Sequence, residues 1–179
     1  MKRNNFTILA ITSDPLDCIR GYSLVFQKMC INIKFANLTL ILNNEGKSFK
    51  FIKKRNLKFR LFEINKKSFF LKGLSFIING LKAIPKKKYD LILCNSEIPE
   101  IIVSIIYSKF FKIKSAVFIH DLYLRSNSFK NCLINIARFN MIKCFDIILV
   151  SNNVMKKKIK IDKVFNIGYM VCDQNGKAI

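Results

Sequence analysis

The sequence predicts one doubly wound α/β domain: a mainly parallel sheet of about seven strands, with helices on both faces. Three observations predict it. Short apolar runs rich in β-formers alternate along the chain with segments that are apolar at helical spacing. Several of the runs, such as Leu91-Ile92-Leu93-Cys94 and Ala116-Val117-Phe118-Ile119, are apolar without a break, as parallel strands covered on both faces are. No internal repeat, low-complexity segment or interdomain linker interrupts the alternation, and 179 residues, 51% of them hydrophobic, can bury a sizeable core.

Residues 6–12 read as a first, buried strand, and Ser13-Asp14-Pro15 with the residues up to Gly21 as a loop. Residues 22–32 read as a helix with Leu24, Val25 and Met29 on one face, and residues 38–42 as a second strand closed by Asn43-Asn44-Glu45-Gly46. Residues 57–64 alternate as a third strand, less buried and near an edge. Residues 68–84 have helical spacing, although Gly73 and Gly80 weaken that helix. After the turn Pro85-Lys86-Lys87-Lys88, residues 91–94 form a short buried strand, and Pro99 suits the first turn of the helix that runs to about Phe111. Residues 115–119 make the next strand and residues 129–143 the next helix. Residues 145–150 form a strand, residues 154–160 a short helix and residues 164–167 the last strand.

The formal net charge is +21, from 32 Lys and Arg against 11 Asp and Glu. Such a field attracts nucleic acid, anionic lipid or phosphorylated small molecules. The abundant Lys, Asn, Ile and Phe also share A/T-rich codons, so compositional bias competes with a functional basic face. Six cysteines form no CxxC and no Cys/His cluster with metal spacing, which suits a reducing compartment and implies no metal site. No apolar run approaches the ~18 residues that span a bilayer, and the amino-terminal run lacks a signal-peptide cleavage site. The expected location is cytoplasmic, with peripheral contact at the inner face of the membrane open.

Several chemistries are disfavoured. The loop after the first strand holds one glycine, Gly21, not G-x-G-x-x-G, so NAD or FAD is not expected. No P-loop and no G-x-S-x-G motif is present. No carboxylate pair has a spacing that suits acid–base work. Polar residues do gather at the predicted strand ends: Ser13 and Asp14, Asn95 and Ser96, His120 and Asp121, Ser151 and Asn152, and Gly168. In a parallel sheet these ends share one rim, where ligands bind. His120, the single histidine, can donate and accept a proton, so it heads the candidates.

The order of these segments resembles the N-terminal domain of GT-B glycosyltransferases of family 4, the retaining group, a Rossmann-like domain. The resemblance rests on Arg20-Gly21-Tyr22-Ser23 after the first strand, Tyr89-Asp90-Leu91-Ile92-Leu93, Ile119-His120-Asp121, Phe145-Asp146-Ile147-Ile148-Leu149-Val150-Ser151 and Phe165-Asn166-Ile167-Gly168. It covers nearly the whole chain. It implies transfer of a sugar from a nucleotide-sugar to a lipid or glycan acceptor, with no separate cofactor. It implies that His120 reaches the donor sugar as the catalytic residue and that Gly21 approaches the donor phosphates; Ser13, Asn95, Ser96, Asp121, Ser151 and Gly168, by their place at the strand ends, are the expected substrate-binding residues.

Two departures stand out. Arg20 precedes a lone glycine where the family has two, and no two glutamates have the Glu-x7-Glu spacing of the family's donor-binding half. The expectation is therefore an acceptor-side domain over residues 1–168, a tail or linker start over 169–179, and an absent C-terminal donor domain, the chain being a fragment, a degenerate gene product or half of a two-chain enzyme whose donor-domain subunit is a partner. Two other readings stand beside the enzyme: a non-catalytic acceptor-binding or scaffold subunit of a split glycosyltransferase, and a basic nucleic-acid-binding α/β module. The last is disfavoured, because no nucleic-acid motif is present and the aromatic residues fall within core runs.

Overall fold

The computed structural model describes residues 6–15, 25, 26, 29, 30, 33, 36–43, 58–62, 69–84, 89–119, 129–151, 157, 159 and 161–166. Its strands are β1 (Thr7–Pro15), β2 (Asn37–Asn43), β3 (Lys58–Phe62), β4 (Leu91–Asn95), β5 (Lys114–Ile119), β6 (Ile147–Val150) and β7 (Val164–Asn166). They form one seven-stranded sheet in the order β3-β2-β1-β4-β5-β6-β7, and every pairing is parallel. The expected α/β fold with a parallel sheet is thus present, and β3 is an edge strand as its alternation suggested. Helices α1 (Phe69–Ala83), α2 (Ile98–Phe111) and α3 (Phe129–Ile142) connect β3 to β4, β4 to β5 and β5 to β6.

Strand alternation divides the core into two layers. Leu9, Ile11, Ile92, Cys94, Val117, Ile119, Ile148 and Val150 point to one face, where Phe76 of α1 and Ile101, Val103 and Tyr107 of α2 cover them. Ile8, Ala10, Leu93, Ala116 and Phe118 point to the other, against the helical residues Phe26, Met29 and Cys30. Neither layer could close with polar residues at these positions, which is why the central runs are apolar throughout. Cys30 and Cys94 are fully buried and act as small apolar residues, since burial pushes both thiols well above the usual range.

The amino edge of the sheet is pinned twice by the same device. Asp90, just before β4, accepts from the backbone N–H and the hydroxyl of Thr7 at 2.7 and 2.8 Å. Asp146, just before β6, accepts from the N–H and hydroxyl of Ser115 at 2.8 and 3.0 Å. The aromatic residue preceding each aspartate, Tyr89 or Phe145, is buried in the core. Phe145-Asp146 therefore lies ahead of the strand it was expected to begin, because the aspartate side chain caps the neighbouring strand.

The two glycines of α1 face α2. A Cβ on Gly80 would meet Val103 Cγ2 at 3.4 Å, and one on Gly73 would meet Pro99 Cγ at 3.5 Å. Pro99 and Val103 lie one turn apart on α2, so the glycines at positions 73 and 80 let the two helices approach closely. A second correction concerns Ser13-Asp14-Pro15. These residues belong to β1, whose pairing with β2 shifts register between Ile11 and Pro15 and resumes at Pro15 opposite Asn43. The irregularity tolerates Pro15, which a regular central strand would exclude.

Candidate functional site

The chain runs from β1 outward through β2 to β3, then returns to β4 and continues the other way. The order reverses between β1 and β4, and at such a switch point the carboxyl ends of the two strands diverge into a crevice. Ser13, Asn95, Ser96, Glu100 and Arg138 gather around this point.

Glu100 ties the two sides of the crevice together. It stands at the third position of α2, whose amino end follows β4 directly, and it is fully buried. Its Oε1 accepts from the backbone N–H of Ser13 at 2.5 Å and from the Ser13 hydroxyl at 2.7 Å. Its Oε2 turns back toward the backbone N–H of Glu97 at 3.4 Å, which steadies the first turn of the helix. A carboxylate without such donors would be costly at this depth. The irregular end of β1 is therefore held in place by a charge on the β4 side.

Asn95 closes β4 and is 1% exposed. Its side chain follows Leu91 and Leu93 to the face that Phe26 covers, with Phe118 of β5 opposite it in the ladder. Both its amide nitrogen and its amide oxygen are buried and lack a hydrogen-bond partner among the described residues. Native proteins rarely leave a buried amide wholly unmatched, and each such group calls for an explanation. A bound ligand at the strand end would provide one.

Ser96, 3% exposed, accepts a hydrogen bond from Arg138 Nη2. Arg138 lies one helical turn before the buried Ile142 on α3. Helix side chains lean toward the amino end, and the amino end of α3 is at the rim where β5 finishes. Arg138 thus reaches the end of β4. Ser151, directly after β6, is fully buried at the same rim.

Four of the eight residues expected at the site are therefore described, Ser13, Asn95, Ser96 and Ser151, and all four stand at the carboxyl ends of central strands. His120, Asp121, Gly21 and Gly168 lie outside the described residues; β5 reaches the rim at Ile119, opposite Val150. Sequence reasoning missed Glu100 and Arg138. Glu100 carried a signal, since it is a lone charge in the apolar run Ile98-Pro99-Glu100-Ile101-Ile102-Val103, at the third position after a proline-marked helix start. Arg138 carried only its spacing from Ile142. Among the described residues no cluster of His, Cys, Asp and Glu could hold a metal ion.

No protein-family model matches the sequence, and no curated protein does. Solved structures do share the fold. Anabaena Alr3699/HepE in complex with UDP and glucose aligns with a TM-score of 0.66 at 11% identity, over 94% of this chain and 45% of that one. A glycosyltransferase from Rickettsia africae aligns with a TM-score of 0.64 at 21% identity, over 94% and 44%. A UDP-GlcNAc 2-epimerase from Methanocaldococcus jannaschii gives 0.60 at 17%, over 93% and 46%. At these identities the likeness establishes the fold, and it supports the GT-B type expected from the sequence. The chain spans under half the length of each of these proteins.

Proposed function

We propose that this chain is the acceptor-side domain of a GT-B glycosyltransferase that moves a sugar from a nucleotide-sugar to a lipid or glycan. The observation that carries the reading is the Asn95 amide, unmatched among the described residues and buried at the β1/β4 switch point of a fold shared with a glycosyltransferase and a UDP-GlcNAc 2-epimerase. In this reading Asn95, Ser96, Ser13 and Ser151 meet the hydroxyl-rich substrate, and Glu100 fixes the crevice wall through Ser13. From the sequence resemblance come the retaining, family 4 character, the approach of Gly21 to the donor phosphates and the contact of His120 with the donor sugar; the substrate-binding roles of Asp121 and Gly168 come from their place at predicted strand ends. Catalysis then requires a donor-side domain, on this chain or a partner, because departing diphosphate needs stabilising groups opposite the rim.

Peripheral contact with anionic membrane at the cytoplasmic face belongs to the same proposal. Phe110 is 78% exposed beside Phe111, and the exposed Lys109 and Lys112 flank the pair, a combination suited to an anionic interface. No helix among the described residues is long and apolar enough to cross a membrane. Of the lysine runs at 53–55, 66–67, 86–88 and 156–158, only Lys157 is described.

Incubation of the chain, joined to a GT-B donor half, with a panel of labelled nucleotide-sugars and a lipid extract tests the reading. Label in a lipid or glycan product supports it. Label recovered only as an epimerised nucleotide-sugar, the outcome an epimerase gives, rejects transfer.

A further inference from the structure

Arg138 differs from the other cations of this basic surface. It is half-buried, and its Nε–H is buried without an acceptor among the described residues. The guanidinium donates to the Ser96 hydroxyl through Nη2 and has no carboxylate partner among the described residues. On the first turn of α2, Glu100 is engaged by Ser13 and by the backbone of Glu97. A guanidinium withdrawn from water needs its donors matched, and the paired oxygens of a carboxylate or a phosphate match its fork best. The arrangement also prepares a second donor. The Ser96 oxygen accepts from Arg138, so its own O–H can still donate to a ligand.

We propose that Arg138 and Ser96 form a binding subsite for a phosphate oxyanion of the substrate, at the carboxyl end of β4. The subsite rests on the transferase reading only for the identity of the molecule that carries the phosphate. That molecule is either a phosphorylated acceptor or the nucleotide-sugar donor, and the chemistry recognised is the same. Phosphate oxygens accept from the guanidinium and from the Ser96 hydroxyl.

The test follows the Arg138 Nε–H resonance of the labelled 179-residue chain during titration with inorganic phosphate, at ionic strength held constant with chloride. A saturable shift is expected. Arg138→Gln should weaken the saturable binding about tenfold or more, the effect of losing one charge-assisted contact. Lys82→Gln, which removes the same charge from an exposed site on the last turn of α1, should leave it unchanged. Parallel titrations with a sugar monophosphate and with UDP identify the source: the tighter ligand names it, and each result supports the subsite. An unmoved resonance at saturating phosphate, or equal weakening by the two variants, overturns the proposal. Where Arg138→Gln fails to fold, Ser96→Ala and the wild-type resonance still decide. Because no turnover is measured, an enzyme inactive in transfer leaves the subsite standing, and an unmoved resonance leaves the transferase reading standing.

Discussion

One oxygen of Asp146 accepts both the backbone N–H and the hydroxyl of Ser115, at 2.8 and 3.0 Å, while Asp146 N–H donates to the Ser115 carbonyl at 3.1 Å. Asp90 and Thr7 repeat the arrangement, with Asp90 N–H donating to the Thr7 carbonyl at 2.9 Å. Each aspartate therefore sets the starting register of the strand beside its own. The sites lie at the amino edge, opposite the crevice, so they belong to stability rather than to chemistry.

Partial burial raises the Asp146 pKa, but the Ser115 N–H and hydroxyl and the Lys114 ammonium at 3.6 Å outweigh it and hold the carboxyl below its ordinary value. A depressed folded pKa contributes stability above the unfolded value of about 3.9 and loses it as pH falls through the folded value. Asp146→Asn should cost about 1 kcal/mol at neutral pH, a figure reduced for the side chain's partial exposure. Urea denaturation at pH 7 and again near pH 3 checks this: the gap between wild type and variant should narrow in acid. A gap independent of pH would remove the charge from the explanation.

The Ser13–Glu100 contact should appear as coupling. Ser13→Ala and Glu100→Gln each disturb one carboxylate cluster, so their destabilisations should not add. About 1 kcal/mol of interaction is expected between contacting buried groups. A double-mutant cycle by chemical denaturation measures it. Additivity within about 0.3 kcal/mol would mean that the β1 end is held by something other than Glu100.

The helix glycines offer a test with the opposite sign. The Cβ of Gly73→Ala would sit at ordinary contact distance, 3.5 Å from Pro99 Cγ. Alanine is favoured over glycine in a helix by about 0.8–1.0 kcal/mol, so the variant should melt at higher temperature. Gly80→Leu must instead force α1 away from Val103, and overpacking of this kind costs about 1–3 kcal/mol. Thermal melts of the two variants should move in opposite directions.

Much of this fold was legible in the sequence because unbroken apolar runs leave few alternatives. Leu91-Ile92-Leu93-Cys94 has no polar face to turn outward, so it must be central and covered on both sides. The rim was legible for the related reason that Asn95, Ser96 and Ser151 end such runs abruptly. The end of β1 was not, because Pro15 reads as a breaker, and only pairing with Asn43 across a register shift keeps it in the strand. Arg138 was illegible because its partner Ser96 is 42 residues away, and nothing local distinguishes it from a solvated arginine. Gly80 read as a weakness of α1 because its reason, Val103, stands on another helix.

The last prediction concerns turnover and His120. The solved proteins that share this fold are more than twice as long as the part this chain matches, which is 45% of Anabaena HepE and 44% of the Rickettsia africae glycosyltransferase. The crevice at β1 and β4 offers one wall: Ser13 held by Glu100, the Asn95 amide, and Ser96 with Arg138. Transfer also needs groups that stabilise the departing diphosphate as its charge develops, and a second wall that excludes water. The purified 179-residue chain should therefore bind nucleotide-sugar weakly and transfer nothing. Joined to a donor half, it should turn over, and His120→Ala should lower the rate about 10²–10⁴-fold, the range for a positioned acid–base group. The melting temperature should stay the same. A labelled-sugar transfer assay on chain, joined enzyme and variant reads all three. Transfer by the chain alone would place the donor site within these residues, and an unimpaired, stable His120→Ala enzyme would take the histidine out of the chemistry.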